Sequence, residues 1–459
     1  MTRLTPLALA LALAGCASMA PKYERPAAPV APAFPVQAVS GASTEAASSI
    51  AWQRFFADAR LKQLIELALN NNRDLRVAIL NIEQARAQYQ IRRADRLPSL
   101  NLSVAGNRSP GPDDSITSLY TAGIGVSSFE LDLFGRVRSL SDAGLAQYLA
   151  SEEARKSTHI SLVASVANAY LSLLADEELL GLTQKTLSAR EESLKLIQLK
   201  YDNGVVSKLD LQQGLSLLDS ARVVLAQQQR QRAQDLNLLT LLVGQSLPAG
   251  PDTSTTLAAM SLSELPAGLP SDLLTVRPDI LAAEQQLIAA NANIGAARAA
   301  FFPRITLTGN AGSASSELSG LFKGGSYGWT FAPQMVLPIF DYGRNSANLG
   351  SAKAGRDIAV AQYEKSVQTA FREVSDALAG QATFGEQLRA QRAVAEAEAE
   401  RFKLSDLRYR NGASSYLDLL DAQRSLFSAE QAAVQANLQR LQNQVTLYRV
   451  LGGGWTAPQ

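Results

Sequence analysis

One cysteine and one histidine bound the chemistry open to this chain of 459 residues. Cys16 closes the sequence Leu13-Ala14-Gly15-Cys16, which ends an apolar run from Leu4 to Ala14 preceded by Arg3. Such a run is too short to span a bilayer and suits a secretory signal. Its last four residues have the pattern of a bacterial lipobox. The chemistry is then acylation: cleavage before Cys16, transfer of a diacylglycerol to its thiol, and insertion of the acyl chains into a membrane. A lone thiol in an exported protein has no disulfide partner, which fits the same reading. Ala17 follows, where Asp would in many enteric bacteria oppose delivery to the outer membrane. His159 lies in a long helix-forming stretch and reads as a surface or interhelical residue. Gly324-Gly325-Ser326-Tyr327-Gly328 spells a nucleophile elbow, but it stands in a turn before a strand, the wrong context for that motif. With no phosphate loop, no paired cysteines and no histidine-based metal cluster, the sequence does not read as an enzyme. The only cofactor expected is the diacylglycerol and N-acyl lipid on Cys16.

The chain carries 43 basic and 42 acidic residues. Removal of residues 1–15 takes Arg3 and leaves a neutral mature chain, so nothing argues for nucleic acid. From Ala20 to Ser49 the composition is mostly Ala, Pro, Ser and Val, which reads as a tether spanning 16–50. Inside the body the single Pro-rich break is 245–271, with Pro248, Pro251, Pro266 and Pro270.

That break separates two copies of one unit, 51–244 and 272–459. Tyr201-Asp202-Asn203-Gly204 with Leu209-Asp210-Leu211 returns as Tyr409-Arg410-Asn411-Gly412 with Leu417-Asp418-Leu419, at an offset of 208 residues. Gly135-Arg136 recurs as Gly343-Arg344, and Asp74 and Pro98 recur as Asp279 and Pro303. No proline occurs from Asp113 to Leu247 or from Ile339 to Ala457, and both stretches are rich in strong helix formers. They predict helices from about Gly135 to Tyr201 and Gly343 to Tyr409, each on the order of 100 Å long at about 1.5 Å per residue. After each Asn-Gly turn a shorter helix returns antiparallel, Ser207 to Val243 and Ser415 to Leu451. The second of these has the three-and-four spacing of a coiled coil through Leu417, Leu420, Phe427, Val434, Leu438, Leu441, Val445 and Tyr448. Further helices are expected from about Asp58 to Leu97 and Ser271 to Phe302.

After Pro98 and Pro303 the period changes to two, with strands expected at about 99–107, 119–131, 304–312 and 327–337. Leu100, Leu102 and Val104 alternate with polar residues, and so do Tyr327, Trp329, Phe331 and Met335. Each run has the length of a tilted membrane-spanning strand, with aromatics near the ends. Four strands cannot close a barrel and an open edge cannot exist in lipid, so several chains must combine. Three chains give twelve strands and a lumen wide enough for solutes. The fold class is therefore mainly α with a membrane β-barrel, shared by a homotrimer, with loops Arg108 to Thr117 and Ser313 to Ser326 outside the cell.

The sequence resembles the TolC family of outer membrane efflux channels, most closely its lipoprotein, OprM-like branch. The resemblance covers nearly all of the mature chain. It rests on Pro21-Lys22-Tyr23-Glu24-Arg25-Pro26, Trp52 with Phe55-Phe56, Asn72-Arg73-Asp74-Leu75, Arg277-Pro278-Asp279-Ile280, Phe302-Pro303 and the terminal Leu451-Gly452-Gly453-Gly454-Trp455. It implies the outer membrane channel of a tripartite efflux pump: a trimeric barrel on a periplasmic helical tunnel, docked through a periplasmic adaptor to an inner membrane pump, commonly of the resistance-nodulation-division type. It also implies a gate where the helices converge, with Tyr409, Leu417, Asp418, Asp421 and Arg424 on matching positions. Asp418 and Asp421 are three apart and share a helix face, so a threefold axis would multiply them into carboxylate rings. Leu417 would form an apolar constriction, and Tyr409 would hydrogen-bond to Asp210 of the first repeat. Ser414 stands where some relatives carry an arginine for a further link. Two other readings are a secretion duct for polypeptides and a structural lipoprotein that conducts nothing.

Overall fold

The computed structural model describes residues 18–35, 46–111, 115–248, 256–263, 265 and 270–455, the side chains of 270 and 271 excepted. Residues 1–17, with Cys16, lie outside them, as does most of the Pro-rich join. The elements run α1 (Trp52–Phe55), α2 (Ala59–Asn71), α3 (Arg73–Ala94), β1 (Leu100–Pro110), β2 (Ile116–Leu131), α4 (Arg136–Asp202) and α5 (Lys208–Val243), followed by α6 (Pro270–Val276), α7 (Pro278–Ala299), β3 (Arg304–Ser315), β4 (Tyr327–Val336), α8 (Arg344–Arg410) and α9 (Tyr416–Val450).

The duplication is written into the backbone. Gly135, Gly204 and Gly244 adopt φ of 71°, 70° and 75°, and Gly343, Gly412 and Gly452, each 208 residues later, adopt 83°, 72° and 82°. A side chain resists that left-handed conformation, so glycine marks the starts of α4 and α8 and the ends of α4, α5, α8 and α9.

Two compact units share the chain. One holds all four strands with residues 80–153 and 281–366; the other holds 29–79, 154–280 and 367–459. In the first, the strands form one antiparallel sheet in the order β1-β2-β3-β4. Register places Leu102, Ile124, Ala311 and Trp329 in one row and Leu100, Val126, Gly309 and Phe331 in the next. Their apolar face is bare: Leu102 is 76% exposed, Val104 73% and Trp329 72%. Between Val126 and Phe129 the register shifts, with Ser128 at φ 55° and its N–H donating to Thr308 Oγ1 at 3.2 Å. The extra residue returns Phe129 and Leu131 to the apolar face after Ser127 and Ser128 break the alternation. Where the sheet meets α4, Glu130 accepts from Arg136 and Arg304, each at 2.7 Å. Ala143, Ala146, Ala289 and Ala292 line the adjoining helix contact, where small side chains let α4 and α7 approach.

The structure breaks the helices read over 58–97 and 271–302. Asn72 is extended, its side chain accepting from Leu75 N–H at 3.0 Å as the N-cap of α3 and donating to Leu242 O at 2.9 Å. Arg277 makes the matching break before Pro278, whose missing N–H costs nothing at a helix start. Its buried guanidinium bonds Asp279, Glu373 at 2.9 Å and the Val450 carbonyl at 3.0 Å. Nearby, Tyr448 stacks on Phe55 at 4.0 Å and donates to Ile50 O. One 18-residue stretch of α4 is apolar enough to cross a bilayer, yet 61% of it is buried; it is packed helical core.

Between α4 and α5 lies a carboxyl pair. Asp176 is 6% exposed and hydrogen-bonds Asp235, while Arg232 pairs with Glu177 at 3.0 Å. Burial first, and the Asp235 carboxylate second, push Asp176 up to about 7. The folded chain thus holds a proton that the unfolded chain releases above about pH 4. Stability from this pair is fully present below pH 4 and is lost as pH rises towards 7. Urea unfolding at pH 5 and pH 8 should show lower resistance at pH 8, and Asp176→Asn should narrow the difference. An unchanged difference in the variant would assign the pH effect elsewhere.

Candidate functional site

The residues that could gate a conduit gather at the two turns joining α4 to α5 and α8 to α9. Both turns use the same local chemistry. Asn203 and Asn411 donate side-chain N–H groups to Leu199 O at 2.7 Å and Leu407 O at 2.8 Å. Ser207 and Ser415 then cap the returning helices in full capping boxes with Asp210 and Asp418. Each carboxylate accepts from the serine N–H, at 2.9 Å in the first repeat and 3.2 Å in the second, while the serine hydroxyl accepts from the aspartate N–H. This satisfies helix-end donors and sets acidic groups against the positive end of each helix.

Tyr409, Leu211, Leu217, Tyr416, Leu419 and Ile197 form one buried cluster behind the turns. Tyr409 and Tyr416 meet with ring centroids 5.5 Å apart. Burial pushes the Tyr416 hydroxyl up to about 12. Gly214 leaves room for the Tyr416 hydroxyl, since a Cβ there would come within 3.2 Å of both it and Leu194 Cδ1.

Two assignments implied by the resemblance take a different form. The Tyr409 hydroxyl accepts from Lys200 Nζ at 3.3 Å, and the same ammonium sits 4.3 Å from the ring centroid; Asp210 spends its carboxylate on Ser207. Asp418 likewise serves its own helix end. Backbone N–H groups one turn away cost no side-chain entropy to reach, which favours local capping over a link between helices.

Asp421 is ion-paired. Arg401, on α8, donates to it and to Ser425 Oγ at 3.3 Å, and Arg424 lies 3.8 Å away on the same helix as Asp421. Arg401, Asp421, Arg424 and Leu417 line a cleft of about 850 Å³ with Gln212 and Ser216 of α5. Leu417 is 59% exposed although its heptad mates from Leu420 to Tyr448 are buried, and Leu209, its counterpart in the first repeat, is 66% exposed. Sequence reasoning does not single out Leu209, Lys200 or Arg401 as members of this site. The repeat itself points to Leu209, whereas nothing local marks Arg401 as the partner of a residue twenty positions on.

The residues weighed for catalysis have ordinary roles. His159 packs edge-on against Trp455 at 5.0 Å, and burial, with Arg155 beside it, lowers its pKa to about 4. Ser326 donates its hydroxyl to Lys323 O at 2.8 Å. Among the described residues no group of three His, Cys, Asp or Glu is placed to hold a metal.

A family model described as outer membrane efflux protein matches residues 64–245 and 269–453. The chain is 50% identical over 456 residues to a toluene efflux pump outer membrane protein, TtgC, of Pseudomonas putida, covering 97% of this chain and 94% of that one. It is equally similar, at 50% over 456 residues with the same coverage, to the antibiotic efflux pump outer membrane protein ArpC of Pseudomonas putida. Among solved structures, the open state of the Neisseria gonorrhoeae MtrE outer membrane channel matches with a TM-score of 0.88 at 42% identity, over 95% of this chain and 98% of that one.

Proposed function

The chain belongs to the outer membrane efflux protein family, and on that premise we propose that it is the outer membrane channel of a tripartite efflux pump, a passive conduit for small amphiphilic molecules. The observation that carries this reading is the sheet. It has a bare apolar face, a face of Asn, Ser, Thr and Gly, and two edge strands, β1 and β4, with no partner strand on their outer edges among the described residues. Lipid covers the first face, water fills the space behind the second, and further copies pair the edges. Three copies close twelve strands. The helical hairpins then face the periplasm, where an adaptor and an inner membrane pump of the resistance-nodulation-division type engage them. Cargo of the kind named for the toluene and antibiotic relatives favours small molecules over polypeptides.

The hairpin cluster is the gate in this reading. Leu417 and Leu209 narrow the opening, the capping boxes fix the turns, and Asp421 is the carboxylate whose field Arg401 and Arg424 control.

Cys16 carries the lipid. In support, the chain just after it is fastened to α7: Arg298 donates to Met19 O at 3.2 Å and Asn291 to Pro21 O at 2.7 Å, while Tyr23 at 2.8 Å and Arg25, through two bonds of 2.7 Å, both donate to buried Glu284. A Cβ at Gly295 would come within 2.7 Å of Ala20 N, so the helix surface is shaped to this segment. Intact mass of membrane-extracted protein should match a chain that begins at acylated Cys16. A mass that retains residues 1–15, or lacks the acyl chains, would refute the anchor.

Planar bilayer recording tests the channel directly. Purified protein that is trimeric by light scattering should give discrete conductance steps. Protein that inserts yet carries no current would be a structural lipoprotein instead.

A further inference from the structure

Arg190 is a buried cation with no anion. It lies on α4 at 5% exposure, and among the described residues no carboxylate pairs with it. Its Nη1 donates to the Leu217 carbonyl at 2.9 Å and reaches Ser220 Oγ at 3.5 Å, its Cζ sits 5.3 Å from the Phe427 ring centroid, and its Nε has no partner. Both the burial and the nearby Arg424 act against its charge. Folding does not ordinarily leave a guanidinium so desolvated without a counter-charge.

The group lines a cavity of about 200 Å³ between α4, α8 and α9. Leu182, Phe402, Leu426 and Phe427 supply apolar walls, and Lys185 and Glu430 are the other ionisable residues on them. Burial raises the Glu430 carboxyl more than nearby Lys185 lowers it, and among the described residues Glu430 makes no ion pair with Arg190. Gln423, also on the wall, has a buried side-chain oxygen with no donor. An apolar cavity of roughly 150 Å³ accepts a benzene ring. The volume here therefore holds a ring with a carboxylate attached.

From this geometry we infer that the cavity is a binding site for a small aromatic monocarboxylate, its anionic group on the Arg190 guanidinium and its ring against Phe402 and Phe427. The carboxylate supplies the acceptor and charge that Arg190 lacks, and planar guanidinium suits planar carboxylate. The ring replaces water on apolar walls. A bound molecule touches three helices of one protomer at once. The site stands on these contacts alone and does not depend on the channel being gated at the hairpins.

Titration calorimetry on the detergent-solubilised full chain, with benzoate as probe and benzyl alcohol as its neutral control, tests the site. Benzoate should bind saturably and at least roughly tenfold more tightly than benzyl alcohol, the difference expected of a charge-assisted hydrogen bond. Arg190→Gln should abolish that preference, and Glu430→Gln should strengthen benzoate binding by removing a like charge. Leu182→Trp, which keeps Arg190 and fills the cavity, should eliminate binding of both probes while the protein elutes at its wild-type size. Benzoate that does not saturate, or binds Leu182→Trp as well as wild type, is partitioning into detergent and overturns the proposal. So does a benzoate preference that survives in correctly sized Arg190→Gln.

Discussion

Phe331→Arg should keep this protein out of the outer membrane. Phe331 sits mid-strand in β4, 61% exposed, in a row with Leu100, Val126 and Gly309 and beside the row that holds Trp329. If that face meets lipid, an arginine near the bilayer midplane costs about 2–4 kcal/mol, and a trimer carries three of them, roughly 6–12 kcal/mol in total. That is comparable with the whole stability of a typical domain, about 5–15 kcal/mol. The adjacent Thr330→Arg points to the opposite face, where water can solvate the charge, so assembly should survive and conductance should change. Membrane fractionation followed by sizing in mild detergent separates the two. Normal trimers from Phe331→Arg together with failed assembly of Thr330→Arg would invert the assignment of faces.

The two faces are legible because strand alternation is a local property of sequence, and in β4 nothing interrupts it from Tyr327 to Met335. In β2 the alternation fails after Val126, and there the sequence does show the fault: Phe129 and Leu131 have the wrong parity for a continuous strand. Taken as a bulge, that parity change locates the turn at Ser128. The long helices are legible from the absence of proline, whereas their companions read as unbroken although Asn72 and Arg277 interrupt them. Pro278 is a signal for the second break. Asn72 is not a strong one, because its capping bond to Leu75 is worth as much as the helical bond it displaces only once Leu242 O takes its amide.

At the hairpins the sequence places the right segments together but does not show how the charges are spent. Ser-x-x-Asp at 207–210 and 415–418 is a capping signature, and it accounts for Asp210 and Asp418 without any partner beyond the turn. Asp421 has no such local use. Its partner Arg401 comes from the preceding helix, and only the antiparallel register of α8 and α9 brings the two within reach. Arg190 shows the same limit, since an arginine among Leu, Lys and Glu reads as helix surface until the packing buries it.

Truncating Tyr409 should open the channel far more than removing its hydroxyl. The side chain is 9% exposed and packs among Tyr416, Leu211 and Leu419, so Tyr409→Ala removes an aromatic from a packed cluster, a loss of about 3–5 kcal/mol per chain. Tyr409→Phe removes only the bond from Lys200, worth about 0.5–1.5 kcal/mol and less where water competes. If the cluster holds the hairpins closed, the alanine variant should raise conductance well above wild type and the phenylalanine variant only slightly. Charge should act separately. Arg401→Ala frees Asp421 and should shift the reversal potential towards greater cation preference, while Asp421→Ala leaves Arg424 without its carboxylate and Arg401 with Glu398 alone and should shift it towards anions, because fixed charge at a narrow ring acts on every passing ion. Recordings across a tenfold salt gradient resolve both axes. Equal conductance in Tyr409→Ala and wild type would place the constriction away from these hairpins, and shifts of the same sign in Arg401→Ala and Asp421→Ala would remove the ion pair from the permeation path.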